Sequence, residues 1–218
     1  MGELETVVDL ILGLLGLPPL AKIKELSKKK SSRKVKVEII HRGKKPENIL
    51  KVLNELNDIV LVNELRKKIE GIRELYPATR VYGQYNGRVI IYGDMPGLLV
   101  YVFSEILALA CGILDLETPT NIIEKLHEEL SNNRQVNIQV FVVPGIPCVK
   151  ACHMLSHMVL ASPNIILEIV DIDTHSEYFE KYSDGALPLI VVNDRVRKTG
   201  SPKNYKELLE LIKKSTTN

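Results

Sequence analysis

A chain of 218 residues, 45% hydrophobic and 26% charged, holds enough apolar material for one large or two small domains. That composition places the chain among soluble globular proteins, and three cysteines exclude a disulfide scaffold and point to a cytoplasmic setting. A net charge of +2 makes no global case for nucleic acid or for acidic partners, and abundant Lys, Glu and Ile fit thermophile usage.

Glu3 to Leu15 reads as a helix with an apolar stripe, stopped by Pro18-Pro19, with a second short helix through Leu26. Val7 to Leu17 is too short to span a bilayer and is broken by Asp9, so it is expected to pack on the domain. A homodimer contact or a surface-lying membrane helix is the alternative. The basic run from Lys28 to Lys36 carries no interleaved aromatic residue and reads as a solvated linker, not a nucleic-acid arm.

From there the pattern predicts a strand over Val35 to Ile40, a turn over His41 to Pro46, and a helix over Glu47 to Leu56. A strand follows at Ile59 to Val62, then a helix through Glu74. A hairpin runs from Pro77 to Tyr92 around Asn86-Gly87, and an apolar helix covers Leu98 to Ala110. Glu117 to Leu130 is amphipathic, with Thr118-Pro119 as its expected cap and first helical residue. The remaining elements are a strand to Val143, a helix from Pro147 to Leu160, a strand over Ile165 to Ile172 and a short helix over His175 to Tyr182. Leu187 to Val192 then turns at Asn193-Asp194 into Arg195 to Thr199, and a last helix covers Tyr205 to Lys213. Asp171 and Asp173 read as caps of the short helix. The order β-α-β-α-β-β-α therefore occurs twice, which predicts an α/β protein of two similar units, each a mixed sheet flanked by helices.

The chemistry-bearing stretch is Val140 to His157, a buried strand, a Pro-Gly-x-Pro turn and a helix. It places Cys148 and Cys152 near a helix N-terminus, where the positive end of the peptide dipoles lowers a thiol pKa. Redox chemistry is one reading of this pair; two buried packing thiols are another. His153 and His157 add a third, a Zn or Cu site with the cysteines. Against it, His153 sits about 100° around the helix from Cys152, so the four cannot converge, and each histidine is expected to be a partly exposed polar residue. No metal and no cofactor is therefore expected. Cys111 ends an apolar helix and reads as a packing thiol.

The Cys pair after the strand, Ala186-Leu187-Pro188 before a hairpin, and Gly200 before the last helix make the second unit resemble a thioredoxin/glutaredoxin fold. With Pro77-Ala78-Thr79, Tyr92-Gly93, Pro96-Gly97 and Phe141-Val142-x-Pro144, the chain from Val35 on is similar to the tandem protein disulfide oxidoreductases of archaea and some bacteria. The resemblance implies a helical extension over residues 1–33, a unit without a cysteine pair over 34–115, and a unit carrying Cys148 and Cys152 over 116–218. It implies a thiol–disulfide oxidoreductase acting on protein thiols and disulfides, served by a reductase. Cys148 would attack and Cys152 resolve, with Pro147, Leu187 and cis-Pro188 along the substrate backbone, and Pro77 cis as well. The sequence departs from that family in two places. The first unit has His41 to Glu47 where cysteines would stand, which makes it a structural or docking half. In the second, an ungapped match from Phe141 puts Ile146 and Val149 at the cysteine positions. A non-catalytic protein-binding module is the rival reading.

Overall fold

The chain begins with two helices, α1 (Gly2–Leu15) and α2 (Leu20–Lys29). Gly16, at φ +75°, ends α1: the Leu17 N–H donates to the Leu12 carbonyl at 2.9 Å and the Gly16 N–H to Gly13 at 3.2 Å, a left-handed glycine stop. Leu12, Leu17 and Ile23 are buried in the main core, so the extension packs on the domain as its apolar stripe predicts. Val7, Leu10 and Leu14 form an outward stripe on α1. The computed structural model describes residues 2–30, 33–66, 68–83, 88–131, 135–182 and 185–216, with side chains from residue 7 onward. Among these, no helix is long and apolar enough to cross a membrane.

The first half then builds β1 (Val35–Ile40), α3 (Glu47–Glu55), β2 (Val60–Leu65), β3 (Ala78–Tyr82), β4 (Arg88–Tyr92) and α4 (Leu99–Ala110). The second half opens with α5 (Thr120–Glu129). It repeats the plan with β5 (Val136–Val142), α6 (Ile146–Leu160), β6 (Ile165–Asp171), α7 (Ser176–Phe179), β7 (Leu189–Val192), β8 (Val196–Thr199) and α8 (Tyr205–Thr216). In each half the first two strands are parallel, the third runs antiparallel to the first, and the fourth antiparallel to the third. A parallel pairing of β4 with β6 (Arg88↔Ile166 through Tyr92↔Val170) fuses the halves into one sheet of order β2-β1-β3-β4-β6-β5-β7-β8.

The repeat extends to details. The peptide bonds before Pro77 and Pro188 are both cis. The Gly93 N–H donates to the Pro77 carbonyl and the Gly200 N–H to the Pro188 carbonyl, each at 2.8 Å, with both glycines at positive φ. Asn193 and Asp194, at φ +51° and +56°, make the tight turn of the second hairpin. The Asn86-Gly87 turn expected in the first lies outside the described residues.

Strand alternation divides the interior in two. Val37, Ile39, Val81, Ile91, Ile138, Val140, Leu167 and Ile169 face the layer that includes α3, α4, α6 and α8. Ile40, Ile90, Tyr92, Phe141, Val170 and Val191 face a smaller core closed by Ile72 and Phe179.

Three expectations are corrected. No helix forms among the described residues between β2 and β3: the stretch Asn63 to Glu74 is charge-rich, and Gly71 sits at φ +75°, where a helix cannot continue. Pro119, with an extended ψ of 140°, is the N-cap of α5 rather than its first turn; its carbonyl accepts the Ile122 and Ile123 N–H groups, and no side chain caps that end. The helix expected over His175 to Tyr182 is a single turn, Ser176–Phe179.

Candidate functional site: the N-terminus of α6 and the cluster beneath it

α6 begins directly after the turn. Gly145 is its N-cap, Ile146 its first residue, and Pro147 lies in the first turn, where a missing N–H costs nothing. The short segment before β7 is held to this turn by a chain of bonds. Pro188 accepts from the Gly200 N–H, and the neighbouring Ser201 Oγ donates to the Pro147 carbonyl at 2.6 Å. Phe141 pairs with Leu189, which brings buried Pro188 and half-buried Leu187 beside the end of β5. Pro147, Leu187 and Pro188 thus gather at one end of the sheet.

The cysteines lie beneath that surface. Because α6 starts at Ile146, Cys148 lies inside the helix and one turn before Cys152, and neither is bonded to the other. Cys148 is 2% exposed and Cys152 is fully buried, whereas Ile146 is 53% exposed and Pro147 and Lys150 are exposed beside it. Burial pushes the Cys148 thiol up against the lowering hydrogen bond from Val143, and it pushes Cys152 well up, with the nearby Cys148 adding to it. The expected lowering is therefore corrected: desolvation of the thiolate outweighs the hydrogen bond from Val143 that favours it. Cys111 is the packing thiol the sequence suggests, its Sγ lying 3.4 Å from the Ala108 carbonyl.

The corresponding helix end in the first half is filled by the chain itself. The Asp94 carboxylate accepts the N–H groups of Asn48 and Ile49 and the Asn48 side-chain amide at 2.8–3.1 Å, so an acid from the loop after β4 caps α3. Nearby His41 is buried with Nε2 2.8 Å from Glu64. Lys45 and then His41 hold the Glu64 carboxyl down at about 2.

His153 and His157 are both buried, at 6% and 2% exposure, which corrects the expectation of partly exposed residues. The reason is Glu105 on α4, itself 1% exposed and packed against the same face of α6. His153 Nδ1 lies 2.9 Å from Glu105 Oε2, His157 Nε2 lies 3.4 Å from Oε1, and His153 Nε2 lies 3.2 Å from Glu117 Oε2. The Glu117 N–H donates to His157 Nδ1 at 2.9 Å. Burial pushes Glu105 up, but hydrogen bonds from both histidines bring it below the usual carboxylate value. Burial likewise lowers His153, and the bond to Glu105 with the charges of Glu105 and Glu117 raises it overall. Sequence reasoning missed Glu105 and Glu117. The available signal was that Glu105 is the lone charge in the apolar run of α4.

Above the cluster an apolar groove of about 650 Å³ runs between α1, α6 and α8, lined by Ile11, Leu14, Ile146, Met154 and Tyr205, with Lys150 and Lys203 also on its wall.

No family model matches the chain, and no curated protein matches it. Solved structures do. The N-terminal domain of alkylhydroperoxide reductase AhpF from Enterococcus faecalis is 18% identical over 89% of this chain and 99% of that one, with a TM-score of 0.69. A protein disulfide oxidoreductase from Aeropyrum pernix K1 is 15% identical over 92% and 95%, with a TM-score of 0.66. Sso1120 from Sulfolobus solfataricus is 20% identical over 81% and 96%, with a TM-score of 0.60. The fold is thioredoxin-like. A fold hosts many activities, so the chemistry rests on the residues of the site.

Proposed function

We propose that this chain is a thioredoxin-fold module that binds an extended protein segment without exchanging disulfides with it. The observation that carries this reading is the first turn of α6. An attacking sulfur must be exposed and ionised there, yet the exposed residues are Ile146 and Pro147, and the two thiols are buried with raised pKa values. What the surface offers instead is apolar: exposed Ile146 and Pro147 with half-buried Leu187, over buried cis-Pro188, and Ile146 also lines the groove beside α1. Lys150 and Lys203 outnumber Glu117 on the groove's wall, which favours a segment whose apolar residues are flanked by Asp or Glu. In this reading residues 116–218 form the ligand-bearing unit. Residues 34–115, with Asp94 closing the matching helix end, form a docking half, and Ile11, Leu14 and Leu15 of α1 form one wall of the groove.

A second reading, the thiol–disulfide oxidoreductase, is favoured by one observation: Cys148 and Cys152 stand one turn apart in the first two turns of the helix beside cis-Pro188. Insulin reduction by dithiothreitol, with wild type and Cys148→Ser compared, separates the two. The binding module gives background turnover with both proteins. Turnover by the wild type that disappears in Cys148→Ser would overturn it in favour of the second reading.

A further inference from the structure

We propose that Glu105, His153 and His157 form a binding site for a divalent transition-metal ion of the zinc class, independent of the cysteines. Histidines four apart on one helix present both rings to the same side, and α4 lays Glu105 across that side. One ligand atom from each of the three residues lies within 4.8 Å of the others. Tetrahedral ligands about 2.0–2.1 Å from an ion are themselves about 3.3–3.5 Å apart. The single oxygen Glu105 Oε1 lies 3.1 Å from His153 Nδ1 and 3.4 Å from His157 Nε2, so these pairs need only a small opening to admit one. Two imidazoles and a carboxylate suit Zn²⁺, Co²⁺ or Mn²⁺ better than Cu(I), which favours sulfur.

The surroundings supply the outer support such a site requires. With His153 Nδ1 on the ion, its Nε2–H points at Glu117 Oε2, 3.2 Å away, so a carboxylate orients the ring from behind. A cavity of about 390 Å³ lined by Asp9, Asp115, Glu117 and one lysine, Lys22, reaches Glu105 and His157 from the side of α1 and gives a cation a route in. One contact must change. His157 Nδ1 accepts the Glu117 N–H, which places the ring proton on Nε2, facing Glu105. Ligation through Nε2 moves that proton to Nδ1 and turns the Glu117 peptide away; a doubly protonated His153 releases its Nδ1 proton to solvent. Loading is thus tied to the segment between α4 and α5.

The test uses the full chain, stripped with chelator, dialysed against Zn²⁺ and examined by elemental analysis and by ¹⁵N-histidine NMR. One zinc per chain is expected, retained in the Cys148→Ser/Cys152→Ser variant and bound about tenfold more weakly in Glu117→Gln, whose side chain is half exposed. Glu105→Gln should lose it. If that variant fails to fold, the wild-type spectrum decides alone: His153 and His157 shift, His157 passes from the Nε2–H to the Nδ1–H form, and His41, His127 and His175 stay put. Absence of stoichiometric zinc in the wild type, loss of zinc in the double cysteine variant, or unmoved His153 and His157 resonances in the loaded chain would each overturn the site.

Discussion

Glu168→Ala should destabilise the fold by about 3 kcal/mol, read as a fall in the urea midpoint at unchanged slope. Glu168 stands on β6 at the seam between the halves, opposite Ile90 of β4 and Gln139 of β5. It is 3% exposed and accepts from Arg73 Nε at 2.9 Å, Tyr92 OH at 3.1 Å and Gln139 Nε2 at 2.8 Å. Removing it leaves a phenol and an amide buried without that acceptor, and a guanidinium without its counter-charge. Arg73 is about one-third exposed, so water takes over part of its solvation, which sets the figure at the lower end of the range for broken buried pairs. Glu168→Gln, which keeps an acceptor oxygen, should lose less. A loss under about 1 kcal/mol for Glu168→Ala would mean that the seam is held by strand pairing and apolar packing alone.

The second large effect compares two glycines in equivalent places. Gly93 and Gly200 each close a hairpin onto a proline carbonyl, at φ +103° and +80°. Alanine at either site carries left-handed strain of about 1 kcal/mol. At Gly93 an added Cβ would also stand 2.7 Å from the Asp171 Cβ, while at Gly200 it meets nothing within 4 Å. Asp171 cannot retreat freely, because its carboxylate accepts from Thr174 Oγ1 at 2.7 Å and from the Asp173 N–H at 3.1 Å. Gly93→Ala is therefore expected to cost about 3 kcal/mol and Gly200→Ala about 1 kcal/mol. Equal costs, measured by denaturant titration, would contradict the close approach of β4 and β6 at this point.

Much of the architecture was legible because the inner strands bury both faces. Runs such as Val136–Val142 and Ile165–Asp171 read as largely apolar strands, and the order β-α-β-α-β-β-α, occurring twice, exposed the repeat. The stretch after β2 was misread because its sparse apolar residues fit helical spacing, while Gly71 takes a conformation that spacing cannot reveal. The end of the site was legible in outline: Pro147 marked the helix start, and the cysteines were placed in its first turns. Their exposure was not, because it depends on the helical phase. Starting α6 at Ile146 turns Ile146 and Lys150 outward and Cys148, Val149 and Cys152 inward. The histidines were misjudged for a related reason. A polar residue on a helix reads as exposed until the partner that buries it is known, and Glu105 lies 48 residues before His153 in the chain.

The central claim is that the thioredoxin-like end of this chain presents no reactive thiol. Native-state alkylation with iodoacetamide at neutral pH, with each cysteine followed by mass spectrometry, tests it most directly. Cys148 and Cys152 should remain unmodified in the folded protein and react fully once it is unfolded in urea, because burial both shields the sulfurs and holds them as thiols. Rapid modification of Cys148 in the folded chain, at or above the rate of an unfolded cysteine, would contradict the account.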